Sequence, residues 1–213
     1  MVSHNMLNLF RCFFFVLAAS CGYANADQAF EPTSFYSNFS NTRFVDQYNK
    51  TFQPNHLMGK VALFNFVYTK CSNICPTQTK QLAEMYKGLP NAYQEKIVLV
   101  TVSLDSQYDK PSILKSYAKR MKAEFKNWQF LSGSYDDIKL LQERLFLFGN
   151  PKNPSHPKVD VALLKTKQKE EVLKNHMTIL WAVDKKGMLI QRYSASPMDT
   201  QRVSAELKQL ADF

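Results

Sequence analysis

Apolar runs alternate with amphipathic stretches along the chain, and this alternation predicts strands followed by helices. The run VALFNFVY (residues 61–68) is apolar and rich in β-branched and aromatic residues, which is typical of a strand buried on both faces. The run KIVLVTVSL (residues 96–104) has the same character. Between them, from Thr77 onward, apolar residues recur at helical spacing until Gly88 and Pro90 mark the predicted helix end.

The rest of the chain completes this pattern. Residues 27–58 are polar and aromatic with several turn formers, which predicts an extended lead-in with a hairpin. Residues 150–175 contain three prolines and a charged run, which predicts an inserted loop that carries a hairpin. The other predicted elements are helices at 110–125, 135–149 and 199–213, a short strand within 128–134, and a final hairpin of strands at 177–184 and 188–194.

This order of elements predicts an α/β fold. Strands that alternate with helices indicate a sheet covered on both faces, and the final hairpin makes the sheet mixed. The order is similar to that of thioredoxin-like domains: three layers, a mixed central sheet with helices on both faces, and an inserted loop or hairpin before the last β-hairpin. The chain has 213 residues, of which 45% are hydrophobic and 21% charged, which is the composition of one globular domain.

The N-terminus has the three parts of a secretory signal peptide. Arg11 precedes the apolar core CFFFVLAA, and Ala24-Asn25-Ala26 has the form of a cleavage site. The core is shorter than the roughly 18–20 residues of a membrane span. The sequence therefore predicts a signal peptide at residues 1–26 and a mature domain at 27–213, exported to a bacterial periplasm or an equivalent membrane-facing compartment. A retained anchor, or lipidation at Cys21, is the alternative.

The charge distribution argues against a nucleic-acid partner. The formal net charge is +9, but the lysines are scattered. The densest run, LLKTKQKEEVLK, includes Glu170 and Glu171 and is interpreted as a solvated face. Membrane association is expected only through a partner or through an uncleaved or lipidated N-terminus.

Cleavage after Ala26 would remove Cys12 and Cys21 and leave Cys71 and Cys75 as the only thiols. A disulfide between such close neighbours closes a very small loop and would stabilise the fold little. Cys71 follows the carboxyl end of a predicted strand, and Cys75 lies at or near the first turn of the next helix. A helix N-terminus stabilises a thiolate, so the pair is expected to be reactive.

Two thiolates are soft ligands that suit copper(I), zinc or iron–sulfur chemistry. A structural zinc site usually needs four protein ligands, whereas copper(I) accepts three, and an imidazole is a suitable third. The mature chain has three histidines, His56, His156 and His176. His176 is the best placed because it opens a strand after the charged loop, but the residues alone do not rank the three firmly.

Four blocks of the chain resemble the Sco/SenC family of thioredoxin-fold copper proteins, which are linked to assembly of the CuA centre of cytochrome c oxidase. The resemblance is strongest from Gly59 to the C-terminus. It implies copper ligands at Cys71, Cys75 and His176, and an acidic residue close to the metal at Asp105. It also implies one copper ion per chain, with copper(I) favoured and copper(II) as the alternative. The blocks are GKVALFNFVYTKCSNICPTQ, VSLDSQYDKPSILKSYAKRM, WQFLSGSYDDIKLL and NHMTILWAVDKKGMLIQRYS.

The chain departs from the family pattern at three places. The family often has an aspartate within the cysteine loop, a proline after the first aspartate of the second block, and an aspartate before the histidine. Here the loop is Ser72-Asn73-Ile74, Ser106 follows Asp105, and Asn175 precedes His176. The copper(I) ligand set is unaffected, but a paralogue specialised in thiol redox work also fits.

Three functional hypotheses follow. In the first, the protein is a metallochaperone that delivers copper to cytochrome c oxidase subunit II or to another exported copper or thiol protein. In the second, it is a thiol–disulfide oxidoreductase in which Cys71 attacks and Cys75 resolves, without metal. In the third, the cysteine pair is an inert disulfide in a binding module. Whether the protein is an enzyme depends on which of these holds.

Overall fold

The computed structural model describes residues 34–36, 42–149 and 178–213, without the side chains of 143 and 146–149. All of them belong to one compact unit, Pro32–Phe213. The predicted signal peptide (1–26) and the predicted inserted loop (150–175) lie outside the described residues. Within the described ranges, none of the helices has both the length and the apolar character needed to cross a membrane.

The described elements follow the predicted order. A 3-10 helix, Pro54–Leu57, precedes the first long strand. The strands are β1 (Phe44–Val45), β2 (Thr51–Phe52), β3 (Val61–Val67), β4 (Ile97–Ser103), β5 (Trp128–Leu131), β6 (Ile179–Val183) and β7 (Leu189–Ser194). The helices are α1 (Ile74–Lys87), α2 (Asn91–Gln94), α3 (Pro111–Arg120), α4 (Tyr135–Gly149) and α5 (Thr200–Asp212).

The central sheet is mixed, as predicted. Its five strands have the order β5-β4-β3-β6-β7. The strands β3, β4 and β5 are parallel, whereas β6 is antiparallel to β3 and β7 is antiparallel to β6. The short strands β1 and β2 form the hairpin predicted in the lead-in.

The strands β3 and β4 form the centre of the fold. All seven residues of each are buried, which explains their uninterrupted apolar character. Alternate side chains enter two cores: one lies beneath α1, α3 and α5, and the other lies beneath α4 and the lead-in. The three-layer α/β prediction is confirmed. Because β3 and β4 pair in register from Val61↔Ile97 to Val67↔Ser103, their carboxyl ends reach the same edge of the sheet.

The helix α1 begins at Ile74, before the apolar helical spacing that starts at Thr77, because Pro76 is tolerated in a first turn, where its missing N–H would have no intrahelical partner. One helix end differs from the prediction. The helix α3 ends at Arg120 rather than near Phe125. Lys122 has φ 56°, the left-handed conformation that terminates many helices, and the Ala123 N–H closes the end on the Ala118 C=O at 2.9 Å.

The first described residues of the lead-in, 34–36, are fixed at the end of the sheet remote from the carboxyl ends of β3 and β4. Phe35 and Tyr36 are buried, and the Phe35 N–H donates to the Gly187 C=O at 2.7 Å in the turn between β6 and β7. Gly187 has φ 76°, and a Cβ there would lie 2.0 Å from the Ser34 Oγ. A side chain larger than hydrogen is therefore excluded at Gly187 while the lead-in is docked.

Two buried glutamines differ in their hydrogen bonding. Gln47, after β1, donates through Nε2 to the Trp128 C=O at 3.0 Å and accepts at Oε1 from the Phe130 N–H at 2.8 Å, so it ties the hairpin to β5. Gln78, in α1, is 1% exposed, and neither its Oε1 nor its Nε2 has a hydrogen-bond partner within the described structure.

This contrast predicts stability changes of opposite sign for one substitution. Gln78→Met should raise the free energy of unfolding by about 1–2 kcal/mol, because it replaces an unpaired buried amide with an apolar chain of similar size. Gln47→Met should lower it by about 1–3 kcal/mol, because it leaves two backbone groups of β5 unpaired. Urea unfolding of both variants measures the difference, and a Gln78→Met protein as destabilised as Gln47→Met would contradict it.

Candidate functional site

The two cysteines lie where β3 passes into α1. Cys71 is in the loop after β3, and its N–H donates to the Tyr68 C=O at 3.1 Å. Cys75 is in the first turn of α1, as predicted. Asn73 immediately precedes the helix, and its C=O accepts the Thr77 N–H at 3.2 Å and the Thr77 Oγ1 hydroxyl at 2.9 Å. The backbone N–H groups of the first turn have no intrahelical partner and point towards the loop.

The cysteine side chains are adjacent and unequally exposed. The Cys75 N–H donates to the Cys71 Sγ at 3.4 Å, and the two sulfurs are not joined in a disulfide. Cys75 is fully buried among Val67, Leu104 and Tyr68, whereas Cys71 is half-buried. Cys71 is thus the sulfur that a partner or an ion reaches from solvent.

The electrostatic environment separates the two thiols. A hydrogen bond from the Cys75 side chain lowers the pKa of Cys71 to about 5, against the opposing effect of partial burial, and the N–H groups of Cys75, Asn73 and Ile74 add to the lowering. The pKa of Cys75 is raised by the same hydrogen bond, then by burial, with a smaller contribution from the negative charge of Asp109. At neutral pH the pair therefore holds a thiolate at Cys71 and a proton at Cys75.

Asp105, predicted to lie close to a metal, begins the turn after β4. Its N–H donates to the Ser103 Oγ at 3.0 Å, and its carboxylate accepts from the Tyr108 N–H at 3.3 Å. Its C=O accepts the Asp109 N–H at 2.7 Å. These bonds hold the turn 105–109, and the predicted role of Asp105 beside a metal stays a prediction.

The sequence interpretation missed Asp109. This residue is 0% exposed, and its carboxylate accepts hydrogen bonds from the Thr69 N–H at 2.9 Å, from the Thr69 hydroxyl and from the Ser103 hydroxyl. It therefore joins the cysteine loop to the end of β4. The available signal was a second aspartate in the segment SLDSQYD, four residues after Asp105.

The histidines do not complete a metal site within the described structure. His176 and His156 lie outside the described residues. His56 is exposed in the 3-10 helix before β3, at the opposite end of that strand from the cysteines. Accordingly, no group of three His, Cys, Asp or Glu side chains among the described residues has the arrangement of a metal site.

The strand that follows His176 does reach the cysteine edge. Because β6 is antiparallel to β3, its first residue, Ile179, lies at the end where β3 passes into the cysteine loop. Thr178, the first described residue after Gly149, accepts the Ala195 N–H through its C=O at 2.7 Å. The strand β6 therefore begins at the edge of the sheet where β3 ends and the cysteine loop begins.

Comparison with protein families assigns most of the chain. The model of the family described as SCO1/SenC matches residues 31–212. A similar curated protein is the SCO1 protein homolog of Bacillus subtilis, which is 34% identical over 90 residues, covering 42% of this chain and 46% of that protein. The matched segment thus spans about half the length of that relative.

Solved structures share the fold. The chain is similar to BsSco, described as a member of the Sco family of cytochrome c oxidase assembly proteins with a disulfide switch. The TM-score is 0.62 at 24% identity, over 82% of this chain and 96% of that one. It is also similar to Bradyrhizobium japonicum ScoI with copper bound, with a TM-score of 0.57 at 20% identity, over 79% of this chain and 96% of that one. These likenesses confirm the thioredoxin-like interpretation of the fold.

The thiol environment predicts a selective pH profile. In the reduced protein, the rate of Cys71 alkylation by iodoacetamide should be half-maximal near pH 5. The reactive thiolate is then fully present at neutral pH and is lost as the pH falls through this value. Cys75 should remain unmodified. Mass spectrometry after short exposures across the pH range measures both rates, with Cys71→Ser as the control. A Cys71 midpoint near the ordinary value of about 8.5 would contradict the assignment.

Proposed function

The chain belongs to the SCO1/SenC family, and we propose that it is an exported copper-binding protein that holds the ion with Cys71, Cys75 and His176. The observation that carries this proposal is the pairing of the two sulfurs at the junction of β3 and α1, with a Cys71 thiolate open to solvent. One copper ion per chain is proposed, as copper(I), with copper(II) as the alternative.

The donor set fits copper(I). Thiolates are soft ligands, and a site with two of them and one imidazole needs no fourth protein group. Cys71 is already deprotonated at neutral pH, whereas Cys75 has to lose its proton when the ion binds. Binding therefore releases a proton, and the affinity should fall as the pH is lowered.

The position of β6 supports His176 as the third ligand. Thr178, two residues after His176 in the sequence, lies at the edge of the sheet where β3 passes into the cysteine loop. His56, by contrast, lies at the other end of β3.

The proposed cargo and partner follow from the relatives. One solved relative carries copper, and another is described as a cytochrome c oxidase assembly protein. We infer that this chain passes copper to cytochrome c oxidase subunit II or to another exported copper or thiol protein. The transfer would proceed by exchange of ligands at the exposed Cys71 sulfur. Export to the periplasm remains the expectation from residues 1–26.

The inequality of the two thiols favours a second function, thiol–disulfide exchange. The Cys71 thiolate would attack a substrate disulfide, form a mixed disulfide and release one substrate thiolate. Cys75, after losing its proton, would attack the Cys71 sulfur and release the second substrate thiol. The substrate gains two electrons, and this chain becomes the Cys71–Cys75 disulfide.

Copper(I) titration of the reduced protein tests the first function. We expect one ion per chain, and His176→Ala should weaken binding at least about tenfold, or roughly 1.4 kcal/mol. His56→Ala is the matched control and should bind as the unsubstituted protein does. The disulfide form should bind no copper(I). A reduced protein that holds no copper, or an equal affinity in the His176→Ala variant, would overturn the proposed site.

A disulfide-exchange assay tests the second function. Cys75→Ser should accumulate a mixed disulfide at Cys71, because the resolving thiol is absent, whereas Cys71→Ser should form none. Rapid turnover that is unaffected by His176→Ala would make exchange, rather than copper delivery, the main activity. Turnover no faster than that of a free thiol such as glutathione would exclude this function.

A further inference from the structure

We propose that Asp109 is a positioning residue for the cysteine loop, fixing the Cys71 sulfur against the N–H groups at the start of α1. The inference rests on the proposed function in so far as the positioned sulfur is a copper ligand. Asp109 contacts neither cysteine through a hydrogen bond that the described structure shows. It acts through Thr69, two residues before Cys71.

The carboxylate of Asp109 is saturated by groups from two elements. The Thr69 N–H and the Ser103 hydroxyl both donate to Oδ2, and the Thr69 hydroxyl donates to Oδ1. Thr69 belongs to the cysteine loop, whereas Ser103 is the last residue of β4. Asp109 thereby connects the loop to the end of β4. The hydrogen bond between Thr69 and Asp109 spans 40 residues of sequence.

The attachment continues into the sheet. The Leu104 N–H donates to the Val67 C=O at 2.8 Å, which extends the pairing of β3 and β4 to the beginning of the loop. The Asp105 N–H donates to the Ser103 Oγ at 3.0 Å, and the Ser103 hydroxyl in turn donates to Asp109. Ser103 is therefore hydrogen-bonded to both the first and the last residue of the turn 105–109. On the solvent side, the Lys70 Nζ lies 3.5 Å from the centre of the Tyr108 ring. The loop thus contacts the turn 105–109 twice, through the buried bonds of Thr69 to Asp109 and through the exposed contact of Lys70 with Tyr108.

The chemistry of the contact points to a positioning role. A carboxylate that is removed from water is costly unless it is hydrogen-bonded, and here three donors converge on it. The loop beyond Thr69 consists of exposed residues, Ser72 and Asn73, together with the half-buried Cys71. When the bonds to Thr69 are lost, this segment is free to move away from the helix start.

Two substitutions separate position from charge. In Asp109→Asn, the amide oxygen can accept from the Thr69 N–H and the Ser103 hydroxyl, and the NH₂ group can donate to the Thr69 Oγ1, so the attachment is kept. In Asp109→Ala it is lost. Asp184 provides a matched control, because its carboxylate accepts the Lys186 N–H at 2.9 Å and the Met188 N–H at 2.7 Å in a turn at the opposite end of the sheet.

The readout is the ratio of the Cys71 alkylation rate at about pH 4, below the Cys71 pKa of about 5, to the rate at about pH 9 in the metal-free full chain, followed by copper(I) affinity. Asp109→Ala should lower the ratio at least about tenfold, one pKa unit, because Cys71 loses its N–H donors. It should also weaken copper(I) binding about ten- to a hundredfold. Asp109→Asn should stay within about threefold of the unsubstituted protein on both measures. Asp184→Ala should leave both unchanged while lowering stability.

Several results would overturn the proposal. One is a folded Asp109→Ala protein with an unchanged rate ratio; another is an Asp109→Asn protein as impaired as Asp109→Ala, since that would assign the effect to charge. If Asp109→Ala does not fold, Thr69→Val removes the hydroxyl bond alone and should still lower the ratio about threefold or more; an unchanged ratio there also overturns it. Because the ratio needs no metal, failure of copper binding in the unsubstituted protein would count against the proposed function only.

Discussion

The fold and the candidate site both depend on the in-register parallel pairing of β3 and β4. The pairing is buried along its whole length, and it ends with Val67 opposite Ser103. Where it ends, the chain leaves β3 as the cysteine loop and leaves β4 as the turn that contains Asp105 and Asp109. If one strand slipped by one residue against the other, its side chains would move to the opposite face of the sheet and would no longer fit the two apolar cores. Packing in the two cores therefore fixes the register, and the register places the cysteine loop beside the turn 105–109.

At this meeting point polar groups of both loops are joined by hydrogen bonds. One buried carboxylate accepts bonds from both loops, and one thiolate accepts N–H groups from a helix start. The bonds to the thiolate make the two thiols unequal: Cys71 is a solvent-accessible thiolate that can act as a nucleophile or a ligand, whereas Cys75 is a buried thiol that keeps its proton. Soft-metal binding and disulfide exchange both begin with that separation, which explains why one loop supports two chemically related proposals.

Much of the fold was predictable from the sequence, since uninterrupted apolar runs indicate buried strands, and the cysteine pair followed by Pro76 after such a run indicates the candidate site. The limits have specific causes. The end of α3 at Lys122 was missed because a lysine gives no signal for a left-handed conformation that glycine usually adopts. The role of Asp109 was missed because it depends on a contact with Thr69, far away in sequence. The environment of Gln78 was not predicted, because its lack of hydrogen-bond partners among the described residues depends on how the helix packs and leaves no pattern in the sequence.

The contact of Phe35 with Gly187 lies at one end of the sheet, and the two cysteines lie at the other end. The C-terminal residues lie at the same end of the sheet as Phe35, since Lys185 in the turn beside Gly187 donates to the Ala211 C=O at 3.4 Å. A tag, an immobilising surface or a fused domain attached to the C-terminus would therefore meet the end remote from Cys71. The protein can therefore be immobilised through its C-terminus while the Cys71 sulfur stays accessible to a partner protein.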